Sequence, residues 1–198
     1  MYFRQHIFDP LGMPDSSFVV PPEKQARVAK RYQRQKDGTL AEPPLQPAPP
    51  PGFYSGGGGL HATARDYLTF ARAVMAGGQL GRARILSAES IALMGQNQIG
   101  DLSITPFTSL IPDLATDNAT LTGNLDKFGL GFALNTSPTS SGRGANTLAW
   151  AGIFNTFFWI DREHGIAAVL MTEMLPGLDP GPAKLLEEFD RAVYAWRK

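Results

Sequence analysis

The sequence predicts an α+β fold, an antiparallel sheet with helices packed on it, and three observations lead there. Strand-like runs crowd the last third of the chain: FGLGFAL at 128–134, LAWAG at 148–152, NTFFWID at 155–161 and IAAVLMT at 166–172. Each is short and carries aromatic or β-branched residues that suit a pleated surface. Helical patterns stand before and after these runs, and no strand–helix–strand unit repeats, which removes the doubly wound and barrel classes. The 198 residues are 43% hydrophobic and 10% aromatic, enough for one core of ordinary size.

The start, MYFRQHIFDP, reads as a helix entered partway. Phe3 and Ile7 share a helical face and Pro10 is expected to stop the pattern, which suggests further sequence upstream. No apolar run there has the length of a signal peptide or a membrane span. Residues 13–51 read as irregular, and EPPLQPAPPPG at 42–52 as an extended surface segment, because proline fixes φ and removes a donor.

Four glycines, Gly56–Gly59, precede a helix expected to begin near Ala64. Thr63 and Asp66 stand at capping-box spacing. Leu68, Ala71 and Met75, with Tyr67, Phe70 and Val74 beside them, form its apolar face, and Gly77-Gly78 ends it. A second helix is expected to follow at once, capped by Ser87, with Ile91, Leu93 and Met94 turned inward and Gly95 closing it. Residues 96–126 show no period and read as a surface excursion. Three or four strands follow, and the polar connector Asp161–Gly165 suits a hairpin between the last two. A final helix is expected from about Pro182 to Trp196, with Leu185, Leu186, Phe189, Val193 and Trp196 as its stripe. The chain is thus read as one partial domain in four stretches: 1–60, 61–95, 96–127 and 128–198.

Composition excludes several function classes. Eighteen basic residues balance eighteen acidic ones, so no field of one sign attracts nucleic acid, and nucleic-acid binding is not expected. With no cysteine, thiol nucleophiles, thiolate metal sites and disulfides are ruled out, and the compartment, cytoplasm or periplasm, stays open. His6, His61 and His164 lie far apart without metal-ligand spacing, so no metal and no cofactor is expected; His61 could border a site mouth, though a surface histidine is the simpler reading. Gly56–Gly59 lacks the G-K-[ST] ending of a phosphate loop and reads as a structural turn.

In chain order, IFDPLGMPDSSF at 7–18, SGGGGLHATARDYLTFARAVMAGGQLGRARILSAES at 55–90, FGLGF at 128–132, WAG at 150–152 and FFWIDREHGIAAVLMT at 157–172 resemble one known arrangement. It is the second half of the serine β-lactamase, penicillin-binding protein and carboxylesterase family. The resemblance covers nearly the whole chain and implies the C-terminal portion of that fold.

Such enzymes attack with the serine of an S-x-x-K motif. No lysine here has a serine three residues before it; the preceding residues are Pro21, Arg27, Gln33, Asn124, Gly181 and Ala195. The Y-x-[NS] motif that supplies a phenolic base is missing too, since Tyr54 is followed by Ser55-Gly56. The third motif, K-T-G in β-lactamases and often W-G-G in esterases, is matched by Trp150-Ala151-Gly152.

The resemblance implies that Ile153 would then supply a backbone N–H to an oxyanion hole, a task open to any residue except proline. Trp150, Ala151 and Gly152 would line the substrate. An indole in place of lysine offers one neutral donor and an apolar face, which favours neutral esters over anionic lactams. Ala151 departs from the esterase glycine, and a Trp150 packed in a sheet core is the alternative. The expected function is therefore the C-terminal part of a serine hydrolase acting on small-molecule esters, inert by itself. A second reading is a non-catalytic protein that assembles with itself or with a separate N-terminal segment, and a third is β-lactamase or penicillin-binding activity in the parent.

Overall fold

The computed structural model describes residues 2–43, 52, 54–117 and 124–196. Most of the proline-rich segment, residues 44–51, lies outside the described residues. The chain opens with a wide turn at Arg4–Phe8, where the Asp9 N–H donates to the carbonyl of Arg4, and continues into α1 (Asp9–Leu11). The helical run therefore continues one residue past Pro10, where the sequence suggested it would stop. Gly12 ends it instead, with φ of 66° in the left-handed region.

Residues 13–43 are less irregular than their composition suggests. A 3₁₀ turn spans Pro22–Arg27, and two short strands, β1 (Tyr32–Arg34) and β2 (Leu40–Ala41), pair antiparallel.

The helix α2 (Ala64–Met75) starts where the capping residues place it, with Thr63 Oγ1 accepting from the Asp66 N–H at 3.2 Å. Asp66 does not close the reciprocal half of the box. Its buried carboxylate accepts from Asp15 N–H at 2.8 Å and from Ser16 Oγ at 2.9 Å, which ties the P-L-G-M-P-D segment to α2. Between α2 and the next helix the structure inserts a hairpin, β3 (Gln79–Leu80) and β4 (Ala83–Arg84), where the sequence suggested direct succession. The helix α3 (Ala88–Met94) is capped by Ser87 Oγ, which accepts from the Ser90 N–H at 3.1 Å. Ile91 is buried, whereas Leu93 points outward.

The main sheet has five strands, each antiparallel to its neighbours: β5 (Lys127–Phe128), β6 (Ala133–Leu134), β7 (Leu148–Ala151), β8 (Phe157–Asp161) and β9 (Ile166–Leu170). FGLGFAL is a hairpin rather than one strand, because Gly131, at φ of 87°, turns it. β10 (Met174–Leu175) leaves this sheet and pairs parallel with β1. The last helix, α4 (Pro180–Ala195), starts at the N-cap Asp179, a little before the expected Pro182.

The period of two along the strands divides the core between the two faces of the sheet. Ala149, Phe157, Trp159 and Ala168 face Leu186 and Tyr194 of α4. Leu134, Leu148 and Ile160 face Ala71 and Val74 of α2 and Ile91 of α3. Each fully buried side chain such as Trp159 or Leu148 contributes about 1.5–3 kcal/mol by leaving water. The expected stripe of α4 is narrower than its pattern: Leu186 is buried, but Leu185 and Trp196 are exposed and Tyr194 takes an inward place instead.

Opposite charges are buried together beneath α4. Arg143 Nε donates to Asp190 at 2.9 Å, and its guanidinium lies 4.2 Å over the Trp159 ring. Beside it the buried Asp161 accepts from Gly144 N–H, Tyr194 Oη and His164 N–H at 2.7–3.0 Å, and its Oδ2 lies 2.8 Å from His164 Nδ1. The Asp161–Gly165 connector forms the hairpin expected, with Gly165 at φ of 68°.

Candidate functional site

The Trp150-Ala151-Gly152 triplet occupies the open end of β7. β6 pairs only with Leu148 and Ala149. Beyond Ala149 the strand is held by β8 alone, through Trp150 opposite Phe158 and Ala151 opposite Phe157. Among the described residues, the other edge of the triplet is therefore unpaired. Trp150 is 41% exposed, its ring edge-on to Phe128 at 5.1 Å, and Ile153 is also 41% exposed. The triplet is not sealed in a core.

Residues 153–155 make a tight turn between β7 and β8. Gly152 N–H donates to Thr156 O at 2.7 Å and Asn155 N–H to Gly152 O at 3.0 Å. This is the three-residue hairpin in which a turn is followed by a left-handed residue, and Asn155 supplies it at φ of 59°. Asparagine tolerates that region better than other side chains except glycine. A Cβ on Gly152 would collide with Thr156 Oγ1, so a side chain here requires Thr156 to rotate away. The Ile153 N–H makes no hydrogen bond among the described residues.

The turn is braced from below by the segment after β9. The buried Asn155 side chain donates from Nδ2 to Met174 O at 2.8 Å and Pro176 O at 2.9 Å. Thr172 Oγ1 donates to Phe154 O at 2.9 Å, and Met174 N–H to the same oxygen at 3.2 Å. The Arg31 guanidinium lies 3.8 Å over the Phe154 ring and is paired with Glu173 at 2.9 Å. Ile153 and Phe154 can move little without breaking these contacts. Asn155 was not singled out from sequence; the signal available was its position three residues after Gly152 between two apolar runs.

The other sequence candidates lie elsewhere. His61 pairs its backbone with Ser17, both bonds under 3.0 Å, and its side chain is exposed. His6 is on the first turn and His164 on the β8–β9 hairpin. No group of three His, Cys, Asp or Glu that could hold a metal occurs among the described residues. Gly56–Gly59 are exposed and separated by four residues from the start of α2. Tyr54 is 62% exposed and rests edge-on against Phe18 at 5.4 Å. On α2, Tyr67 packs against Phe158 at 5.1 Å, and burial pushes its phenol up to about 12, so it stays neutral. No helix among the described residues is long and apolar enough to cross a membrane.

Protein Rv1367c of Mycobacterium tuberculosis is 28% identical over 185 residues, 88% of this chain and 43% of its own length. The acyltransferase calJ of Penicillium decumbens is 26% identical over 204 residues, all of this chain and 46% of its own. The unliganded simvastatin synthase LovD of Aspergillus terreus superposes with a TM-score of 0.75 at 21% identity, over 98% of this chain and 48% of that one. The chain thus spans less than half the length of the curated relatives it matches, and the structural likeness is one of fold, a β-lactamase/transpeptidase-like α+β arrangement. Because the model of the Beta-lactamase family matches residues 1–191, the chain belongs to that family.

Proposed function

We propose that the chain is the C-terminal wall of a serine hydrolase site that cleaves neutral esters through an acyl-enzyme. The observation that carries this is the strand end at Trp150–Ile153: an exposed indole and, among the described residues, an unpaired strand edge and an unbonded Ile153 N–H on a braced turn. A fixed backbone donor of this kind stabilises the oxyanion of a tetrahedral intermediate without reorganising when charge develops. In this reading the nucleophilic serine, its lysine and the tyrosine reside on polypeptide outside this chain. Attack by the serine forms the C–O bond of the tetrahedral species, expulsion of the alcohol leaves the acyl-enzyme, and water releases the acid.

The relative named as an acyltransferase, calJ, supports a close variant, in which an alcohol replaces water in the second step. In this reading Trp150 takes the place of the lysine that would hold a lactam carboxylate, which favours esters over penicillins. A partner role is supported by β9, whose outer edge has no neighbouring strand among the described residues and could pair with a separate segment or a second copy.

The test is hydrolysis of p-nitrophenyl butyrate. The chain alone is expected to match buffer, and the chain joined to a segment bearing S-x-x-K and Y-x-[NS] to exceed it. Turnover by the isolated chain, or none by the joined protein, defeats the proposal.

A further inference from the structure

We propose that residues 107–117 form an apolar lip of the same site and select esters with an extended apolar acyl chain; this rests on reading Trp150–Ile153 as the acyl-transfer site. Phe107, Leu110, Ile111 and Leu114 are 45%, 96%, 59% and 45% exposed. They are held in that state by a closed turn. Ser109 N–H donates to Asp117 Oδ1 at 2.8 Å, Ile111 N–H to Ser109 Oγ at 3.2 Å, and Leu114 and Ala115 N–H to Ile111 O at 2.9 and 3.1 Å. Keeping several large apolar side chains in water is unfavourable, and a patch of this kind marks a binding surface.

Its position ties it to the candidate site. Gly177 N–H donates to Leu114 O at 2.8 Å and Thr116 N–H donates to Gly177 O at 2.9 Å. Thr116 Oγ1 adds a bond to Leu178 O at 2.7 Å, and Gln33 Nε2 holds Asp113 O at 3.2 Å. The other side of Gly177 is pressed on the oxyanion turn: a Cβ at this position would come within 2.9 Å of Ile153 Cδ1 and of Ile153 O. One backbone segment therefore carries the lip on one side and Ile153 on the other.

The lip's chemistry selects its occupant. From Ser103 to Pro112 there is no ionisable side chain, and the charges that flank this run on the turn, Asp113 and Asp117, are both acidic. An anionic group meets like charge at that rim, while the Lys127 ammonium stands at the far end of the run, on Ser103 Oγ at 3.3 Å. A neutral hydrocarbon chain, extending from a carbonyl held at Ile153, covers the exposed leucines and isoleucine and keeps no polar atom from water.

Binding can be read without turnover. Methyl hexanoate and methyl acetate are titrated into the isotopically labelled chain, and backbone amide shifts are followed by NMR. Methyl hexanoate is expected to shift the amides of Leu110, Ile111, Leu114 and Ile153 and to bind about tenfold more tightly than methyl acetate, because part of each added methylene leaves water. Leu110→Ser, at a side chain almost free of packing, is expected to weaken hexanoate several-fold and leave acetate unchanged. No shift at the lip amides, equal affinity for the two esters, or no effect of Leu110→Ser overturns the proposal. Lip binding in a complete protein that turns over no ester upholds the lip and defeats the hydrolase reading. A complete protein that hydrolyses acetyl as fast as hexanoyl esters defeats the lip alone.

Discussion

Asn155 donates from one side-chain nitrogen to the carbonyl of Met174 at 2.8 Å, so the turn that presents Ile153 is fastened to the strand β10 nineteen residues further on. Asn155→Gly keeps the left-handed backbone but removes the fastening and is expected to cost about 1–3 kcal/mol. Asn155→Ala adds the strain of a β-carbon at positive φ, about 1 kcal/mol more. Urea unfolding of the three proteins checks the order; an alanine variant as stable as wild type would contradict it.

Ile153 follows Gly152 as the first central residue of the turn, a place that accepts proline. Ile153→Pro is therefore expected to fold while deleting the N–H proposed to meet the oxyanion, and to lower kcat of the joined, complete protein by about 10²–10³-fold. Ile153→Ala keeps the N–H and is expected to stay within a few-fold of wild type. The comparison is made on p-nitrophenyl butyrate, with circular dichroism to verify folding.

The ion pair of Arg143 and Asp190 has side chains only 3% and 5% exposed. Removing one partner leaves a buried charge, and Asp190→Ala is expected to destabilise by about 3–5 kcal/mol. Replacing both with Met and Leu is expected to recover most of the loss, as measured by thermal unfolding.

Burial pushes the Asp161 carboxyl upward, but the Gly144 N–H, the Tyr194 hydroxyl and both groups of His164 donate to it and hold it below its ordinary value. A depressed carboxylate contributes stability that is present above the unfolded value near 3.9 and is lost as pH falls through the lower folded value. Thermal stability should thus decline below about pH 4, and Asp161→Asn should flatten that decline while being less stable at pH 7. Asp15 is likewise held low by Arg27 and Lys24, but at the surface, where such pairs contribute little.

Local chemistry was legible in the sequence wherever one residue dictates its own geometry. Thr63 and Ser87 cap the helices they precede, Gly165 turns the β8–β9 hairpin, and the strand runs at 148–152 and 155–161 contain β7 and β8, with Gly152, Asn155 and Thr156 given over to the turn between them. What could not be read depends on partners distant in sequence. β1 is three residues long, too short to show a period, and exists because Tyr32 and Gln33 pair with Met174 and Leu175 while Arg31 and Arg34 are held by Glu173 and Asp179. The same holds at the candidate site: the W-A-G triplet was visible, but its open edge depends on β6 stopping at the partner of Ala149, and its rigidity on Asn155. Leu93 and Trp196 show the reverse, apolar residues on a helical stripe with nothing opposite among the described residues to cover them.

The three indoles differ sharply in surroundings, Trp159 at 0%, Trp150 at 41% and Trp196 at 92% exposed. Each therefore emits from a different medium, one beneath a guanidinium, one beside the proposed catalytic turn and one in solvent. With Trp196 changed to Phe, quenching by acrylamide would report on Trp150 almost alone, and the molecule carries a built-in optical gauge of whether anything has settled on that strand end.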